Sequence, residues 1–341
     1  MKRSLWEVGE MPEGKKYRNI TLVAFFFIIL LALYVRLPGF YMETEGRDTY
    51  FAWMDGKRIA TGVNPYERIT HGDMIHNEKY PTRLPLVYLI AALFIKLGAA
   101  KFESFIYFWR IFILIFDLTL GTFLFNYGRE RGKDFVGLLA AFVWFFSRWG
   151  LYVWEIGNSE AFIILMMVLA LYYWDRKPFL AGLLLGVSLS MKHFGVLFLP
   201  VLICGSRDLR EGLRRLGYVL LIPAALSLPF FVWHPEGFVK SIFFNVVREY
   251  SSHLIEDSIS IRQLFGKSGI ILRLFEVVVY LLFWVAAVRE RWNRWLGAAL
   301  TFFIFLGFNP VLFTQYFSWM VPFILLYLID VSREEKIANY E

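Results

Sequence analysis

Eleven apolar runs restrict what this chain can fold into. They lie at about 20–36, 84–98, 105–127, 135–150, 160–174, 178–191, 194–205, 217–233, 269–288, 295–308 and 311–330. Between them sit short basic clusters: Lys2 to Arg18, GRERGK (128–133), DRK (175–177), SRDLREGLRR (206–215), RERWNR (289–294) and Arg333 to Lys336. Hydrophobic residues make up 58% of the 341, above the soluble average of about half, and the pattern is that of a polytopic membrane protein. The net charge of +7 is explained by the clusters that orient the spans, which removes the case for nucleic acid. A single cysteine, Cys204, excludes an internal disulfide. The segment MKRSLWEVGEMPEGKKYRN is too long and too mixed in charge for a signal n-region, and no small-residue cleavage site follows it, so 20–36 is expected to be a retained membrane helix.

Counting sides sharpens this. If every basic cluster is cytoplasmic, an even number of spans separates each neighbouring pair. Three apolar runs lie between Arg18 and Arg129, one too many. The run 84–98 follows Pro81 and Pro85, contains Lys96, and is the shortest of the three, so it is expected to lie in the interface. The expectation is therefore an all-α polytopic membrane protein of about ten transmembrane helices, with interfacial amphipathic helices in the first outer loop. We expect one membrane domain over 1–341. A core module over 20–205 carries outer loop 37–104, and C-terminal helices over 206–341 carry outer loop 234–268. The N-terminus is cytoplasmic, and both long loops, rich in His, Asp, Glu and Arg, face outward.

In the first outer loop, GRDTYFAWMDGKRIATGVNPYER (46–68) predicts a helix from about Asp48 to Thr61, ended by Gly62 and the turn at Asn64-Pro65. At 100° per residue Asp48 and Asp55 fall about 20° apart, on one face with Ala52, with Tyr50, Trp53 and Met54 pointing largely away. Such a helix lies in the interface with its aromatics down and its two carboxylates toward a water-filled cleft. Asp48 is also placed to cap the helix N-terminus. Neighbouring groups carry the same ambiguity. Lys192 reads as a site cation or as a snorkelling lysine. Glu160, in WEIGNSE (154–160), reads as a site acid or as a first-turn acid. Tyr316 reads as a cleft residue or as part of an aromatic belt. His71, Asp73, His76 and Glu78 do not make a metal site, since a spacing of five puts the two histidines on different helical faces.

Asp48, Tyr50, Gly62, Asn64-Pro65-Tyr66, Tyr80-Pro81 and Pro85-Leu86 together resemble the first outer loop of the GT-C glycosyltransferases. GVNPYERIT (62–70) is similar to the corresponding loop of the glycosylphosphatidylinositol mannosyltransferases. MKHFGVLFLP (191–200) and FTQYFSWMVP (313–322) are similar to the family's lysine-then-proline element and its late helix. The resemblance spans most of the chain through the order and spacing of weak motifs. It departs from the family where some relatives carry an Asp-x-Asp pair, because Gly46 stands at the first position, and this weakens any case for a metal.

The resemblance implies transfer of a hexose, mannose foremost, from a polyprenyl- or dolichyl-phosphate sugar to a lipid-linked or glycan acceptor on the extracytoplasmic face. It implies inversion at the sugar and no cofactor, since a lipid phosphate leaves without the help a nucleoside diphosphate requires. Asp48 takes the role of general base. Asp55, Tyr66, Glu155, Lys192, His193, Arg262, Gln315 and Tyr316 are the candidate substrate-binding residues, with Arg248 and His253 as further cations. The partners are the lipid-linked donor, the acceptor and membrane lipids. The rival reading is a multi-pass transporter or flippase for a lipid-linked or small polar substrate. It would use the charges within spans, Arg110 and Asp117 or Arg273 and Glu276. The absence of an evident internal repeat, and the gathering of polar residues in outer loops, favour the enzyme.

Overall fold

The computed structural model describes residues 10–42, 48–72, 80–199, 206, 208–247, 269–289, 292–308 and 312–332, and these residues form helices and no strand. Thirteen helices follow one another among them: α1 (Glu10–Arg36), α2 (Asp48–Ala60), α3 (Leu86–Lys96), α4 (Phe102–Arg129), α5 (Asp134–Phe146), α6 (Arg148–Glu155), α7 (Glu160–Tyr173), α8 (Pro178–Met191), α9 (Leu209–Trp233), α10 (Pro235–Val247), α11 (Gly269–Arg289), α12 (Arg294–Phe308) and α13 (Val321–Val331). Shorter 3-10 turns lie at Leu37–Tyr41, Pro65–His71, His193–Phe198 and Thr314–Trp319. Helices satisfy their own backbone groups within one segment, which is why so apolar a chain adopts them.

Four segments are long and apolar enough to cross a membrane: Asn19–Tyr41, Phe102–Arg129, Leu209–Trp233 and Thr314–Val331. A fifth forms if α5 and α6, bent by 43° at Ser147, count as one span. The expected ten would need α7, α8, α11, α12 and the run at 194–205 to cross as well. α7 and α8 have 14 residues each, about 21 Å of helix against a hydrocarbon core of roughly 30 Å. The run at 194–205 starts as a 3-10 turn after a break at Lys192, and its last residues lie outside the described ones. α3 is 11 residues, about 16 Å, too short to cross. It packs along α2 instead.

Every residue of α7 from Glu160 to Leu171 except Leu169 is buried. The helix packs between α4 and α8, while α9 covers the far face of α8 and α5 the far face of α4. The charges inside this bundle are structural. Asp117 of α4 pairs with Arg36 at the end of α1 at 2.6 Å, both sheltered from solvent. Arg36 also donates to the carbonyls of Ala32 and Phe145. Arg110 donates to the carbonyls of Trp154 and Glu155. Arg110 and Asp117, the charges on one helix that a transporter would use, therefore serve two separate joints between helices. The Arg273 side chain lies outside the described ones.

Candidate active site

The site forms where the start of α2, the turn before α7, the end of α8 and the Thr314–Trp319 turn converge. Gly157 organises the junction. Its φ of +70° belongs to the left-handed region that a Cβ disfavours, and it turns the chain from α6 into α7. Its carbonyl accepts from the Thr49 hydroxyl at 2.7 Å and from the Trp109 indole N–H at 2.9 Å. The first turn of α2 is thereby fastened beside Asn158 and Glu160.

Asp48 opens α2, and its carboxylate accepts from the Arg83 guanidinium at 2.7 Å. The pair is part-exposed, with side-chain exposures of 30% and 19%. Tyr66, wholly buried, donates its hydroxyl to the Arg83 carbonyl at 2.8 Å, and the Arg83 N–H donates to the Tyr88 hydroxyl at 3.3 Å. Pro65 at the start of its turn and the Asn64 side chain, which accepts from the Tyr66 N–H, set the Tyr66 backbone. Burial works against the Arg83 charge, but Asp48, with Tyr88, Glu160 and Tyr316 beyond it, more than offsets this and holds the guanidinium above its ordinary value.

A second pair lies deeper. Lys192, in extended backbone where α8 ends, donates to Glu160 at 2.5 Å. Its ammonium sits over the rings of Trp319, Phe194 and Tyr316 at 5.1, 5.4 and 5.7 Å, within cation–π range. Burial pulls this lysine below the usual range and Glu160 resists the pull. Lys192 is therefore a buried, boxed cation, not a snorkelling one. Asn158 donates to the Gln315 side-chain oxygen at 2.6 Å. Burial, aided by Arg83, pushes His193 down to about 4, so its imidazole is neutral at pH 7. Among the described residues, Glu160 Oε2 and His193 Nε2 are buried without a hydrogen-bond partner.

Of the residues expected in the site, Asp48, Lys192, His193, Gln315 and Tyr316 come together here, with Tyr66 beneath. Asp55 does not face the cleft beside Asp48 as the wheel predicts. It is buried against α3 and held by Arg58 at 3.0 Å and Arg68 at 3.5 Å, because the packing of α2 on α3 covers that part of the face. Burial pushes its carboxyl up to about 7, against the pull of Arg68 and Arg58. The Glu155 side chain is exposed at the end of α6. Arg262, Arg248, His253, Asp73, His76 and Glu78 lie outside the described residues. Sequence reasoning missed Arg83. Its signal was an arginine held between Pro81 and Pro85 at the mouth of an apolar helix. No group of three or more potential metal ligands occurs among the described residues.

A family model described as Glycosyltransferase family 87 matches residues 91–306, nearly two thirds of the chain. The match takes in Glu160, Lys192 and His193, while Asp48, Arg83 and Gln315 lie beyond its ends. No curated protein and no solved structure matches the chain.

Proposed function

Because the chain belongs to glycosyltransferase family 87, we propose that it moves a hexose, mannose foremost, from a polyprenyl- or dolichyl-phosphate donor to a lipid-linked or glycan acceptor. Membership in a glycosyltransferase family replaces the transporter reading. In the proposed reaction the acceptor hydroxyl attacks the anomeric carbon from the face opposite the phosphate. Its proton passes to Asp48, the bond from that carbon to the phosphate oxygen breaks, and the electron pair leaves with the lipid phosphate. The sugar is inverted. Arg83 and Lys192 supply positive charge around the departing phosphate, and Gln315, Tyr316 and His193 line the sugar. Asp55 and Tyr66 support this site from below through α2 and Arg83. The site faces the extracytoplasmic side, with the basic clusters opposite.

The observation that carries this reading is the part-exposed Asp48–Arg83 pair at the start of α2, set beside the Glu160–Lys192 pair. A carboxylate next to fixed cations is what a displacement that protonates a base and expels an anion requires. Purified protein incubated with polyprenyl-phosphate-mannose or -glucose and a lipid extract should give a hexosylated lipid detected by mass. Asp48→Asn keeps the shape and removes the base, and turnover should fall about 10²–10⁴-fold in a folded protein. Full activity in that variant would remove Asp48 from the mechanism.

A further inference from the structure

A side-chain amide has an accepting end and a donating end, and what holds one end decides which faces a cleft. Asn158 lies buried in the turn before α7, just after Gly157, and its backbone N–H donates to the Val153 carbonyl at 3.1 Å. Its side-chain Nδ2 donates to Gln315 Oε1 at 2.6 Å. Gln315 stands on the Thr314–Trp319 turn, which the Ser318 hydroxyl closes by donating to the Gln315 carbonyl at 2.6 Å. That turn packs on α6, with Phe317 stacked on Trp149. Both amides are therefore carried on fixed backbone. With Oε1 taken by Asn158, the two N–H donors on Gln315 Nε2 have no acceptor among the described residues. Gln315 is half-buried, and this nitrogen reaches solvent. It opens beside Tyr316, whose ring centre lies 5.7 Å from the Lys192 ammonium. Two more polar atoms of the same junction, Glu160 Oε2 and His193 Nε2, are buried without a partner.

We propose that Asn158 is a positioning residue: it sets the Gln315 amide so that its N–H end donates to a hydroxyl oxygen of the hexose on the donor. This rests on the lipid-phosphate reading above. The cations of the site, Arg83 and Lys192, suit the phosphate, whereas an uncharged amide suits a hydroxyl. The phosphate of a lipid-linked sugar offers only acceptors. A hydroxyl also donates, and Glu160 Oε2 is an acceptor left unfilled at the same junction. A site built to hydrogen-bond a hydroxyl rejects the analogue that lacks it, because its own polar group is then left unpaired. Without Asn158 the amide could present either end, and the sugar would be read less sharply. Asn158 thus sets sugar selectivity without touching the sugar.

The readout is a ratio of two affinities, measured on the full-length protein in nanodiscs. One is for undecaprenyl-phosphate-mannose or -glucose, whichever binds tighter, and the other is for undecaprenyl phosphate without a sugar. Damage to the fold or to the phosphate contacts lowers both and largely cancels. Gln315→Met, similar in length and without a donor, should cut the ratio about fivefold or more, the scale of one hydrogen bond left unmade. Gln315→Glu keeps the oxygen that Asn158 binds and loses the N–H end, so it should cut the ratio as far. Asn158→Leu should cut it about threefold, with Asn158→Ala in its place if the leucine variant does not fold. In the Gln315→Met background the Asn158 substitution should change the ratio no further, because it acts through the amide. An unchanged ratio in Gln315→Met or Gln315→Glu overturns the proposal, and so does an Asn158 effect that persists at full size without Gln315. In those cases the lipid-phosphate reading survives, since the wild type binds the probes. If the wild type binds neither lipid, the donor class and the amide contact fall together.

Discussion

His193 keeps its imidazole neutral down to about 4, while Asp55 keeps its proton up to about 7, and the two act on stability with opposite signs. For His193 the folded value lies below the ordinary 6.5, so the unfolded chain takes up the proton first as pH falls. Its contribution is whole above about 6.5 and is lost as pH falls toward 4. For Asp55 the folded value lies above the ordinary 3.8, so the native chain holds a proton that the unfolded chain has released. That contribution declines as pH rises from about 4 to 7 and is level beyond. Thermal midpoints in detergent at pH 5 and pH 8 separate the two. The midpoint of Asp55→Asn relative to wild type should rise between these values, and the deficit of His193→Gln should grow. At this scale the residue types were legible and their partners were not. Asp48 stood out as the acid that opens a charged helix after an apolar run. Arg83, 35 positions along the chain, became its partner because the Tyr66 and Tyr88 hydroxyls fix the turn between the two prolines.

Among the elements, α2 and α3 form the platform of the site, and their separation is set by one glycine. A Cβ built on Gly56 would lie 2.5 Å from the Ala91 side chain and 2.9 Å from the Ala92 backbone nitrogen, and neither is the end of a flexible chain. Gly56→Val should therefore part the helices and move Asp48 against Arg83. A misplacement of about 1 Å costs on the order of 10²-fold in rate, and overpacking about 1–3 kcal/mol in stability. Turnover on the proposed polyprenyl-phosphate sugar, read beside a melting curve, checks this. Near-normal turnover would show that the α2–α3 spacing does not control the site. The helix at 48–60, its stop near Gly62 and the shortness of α3 were all readable from turn residues and run length. The break at Ser147 was not, because mean apolarity stays high across it, whereas the one at Lys192 was marked by the charged Lys192-His193 junction between two apolar runs. The Ser147 hydroxyl caps α6 and turns the chain, and Lys192 leaves its helix to reach Glu160.

Across the whole molecule, side matters more than span count. The even-number argument puts residues 60 and 100 on one side of the membrane, with α3 lying between them. Cysteines at Ala60 and Ala100, in a Cys204→Ser background, should both react with an impermeant thiol reagent added from the extracytoplasmic side. Labelling from opposite sides would mean that 84–98 crosses. α1 is tied to the rest by the buried Arg36–Asp117 pair, which joins it to α4, with Arg36 also reaching the Phe145 carbonyl at the end of α5. Both charges are visible in the sequence, but 81 positions separate them, and helix periodicity relates only residues a few turns apart.

By itself the sequence determined the all-helical class, the membrane as solvent, the resemblance to lipid-phosphate-dependent transferases and Asp48 as the first acid to test. Those follow from local composition, run length and the order of short motifs, which survive whatever the helices do in space. Only the tertiary structure decided which cation meets which anion: Arg83 with Asp48, Lys192 with Glu160 inside an aromatic box, and Asp55 turned away beneath Arg58 and Arg68. Ion pairing depends on distances of a few ångströms between segments far apart in the chain, and helix packing alone sets those distances.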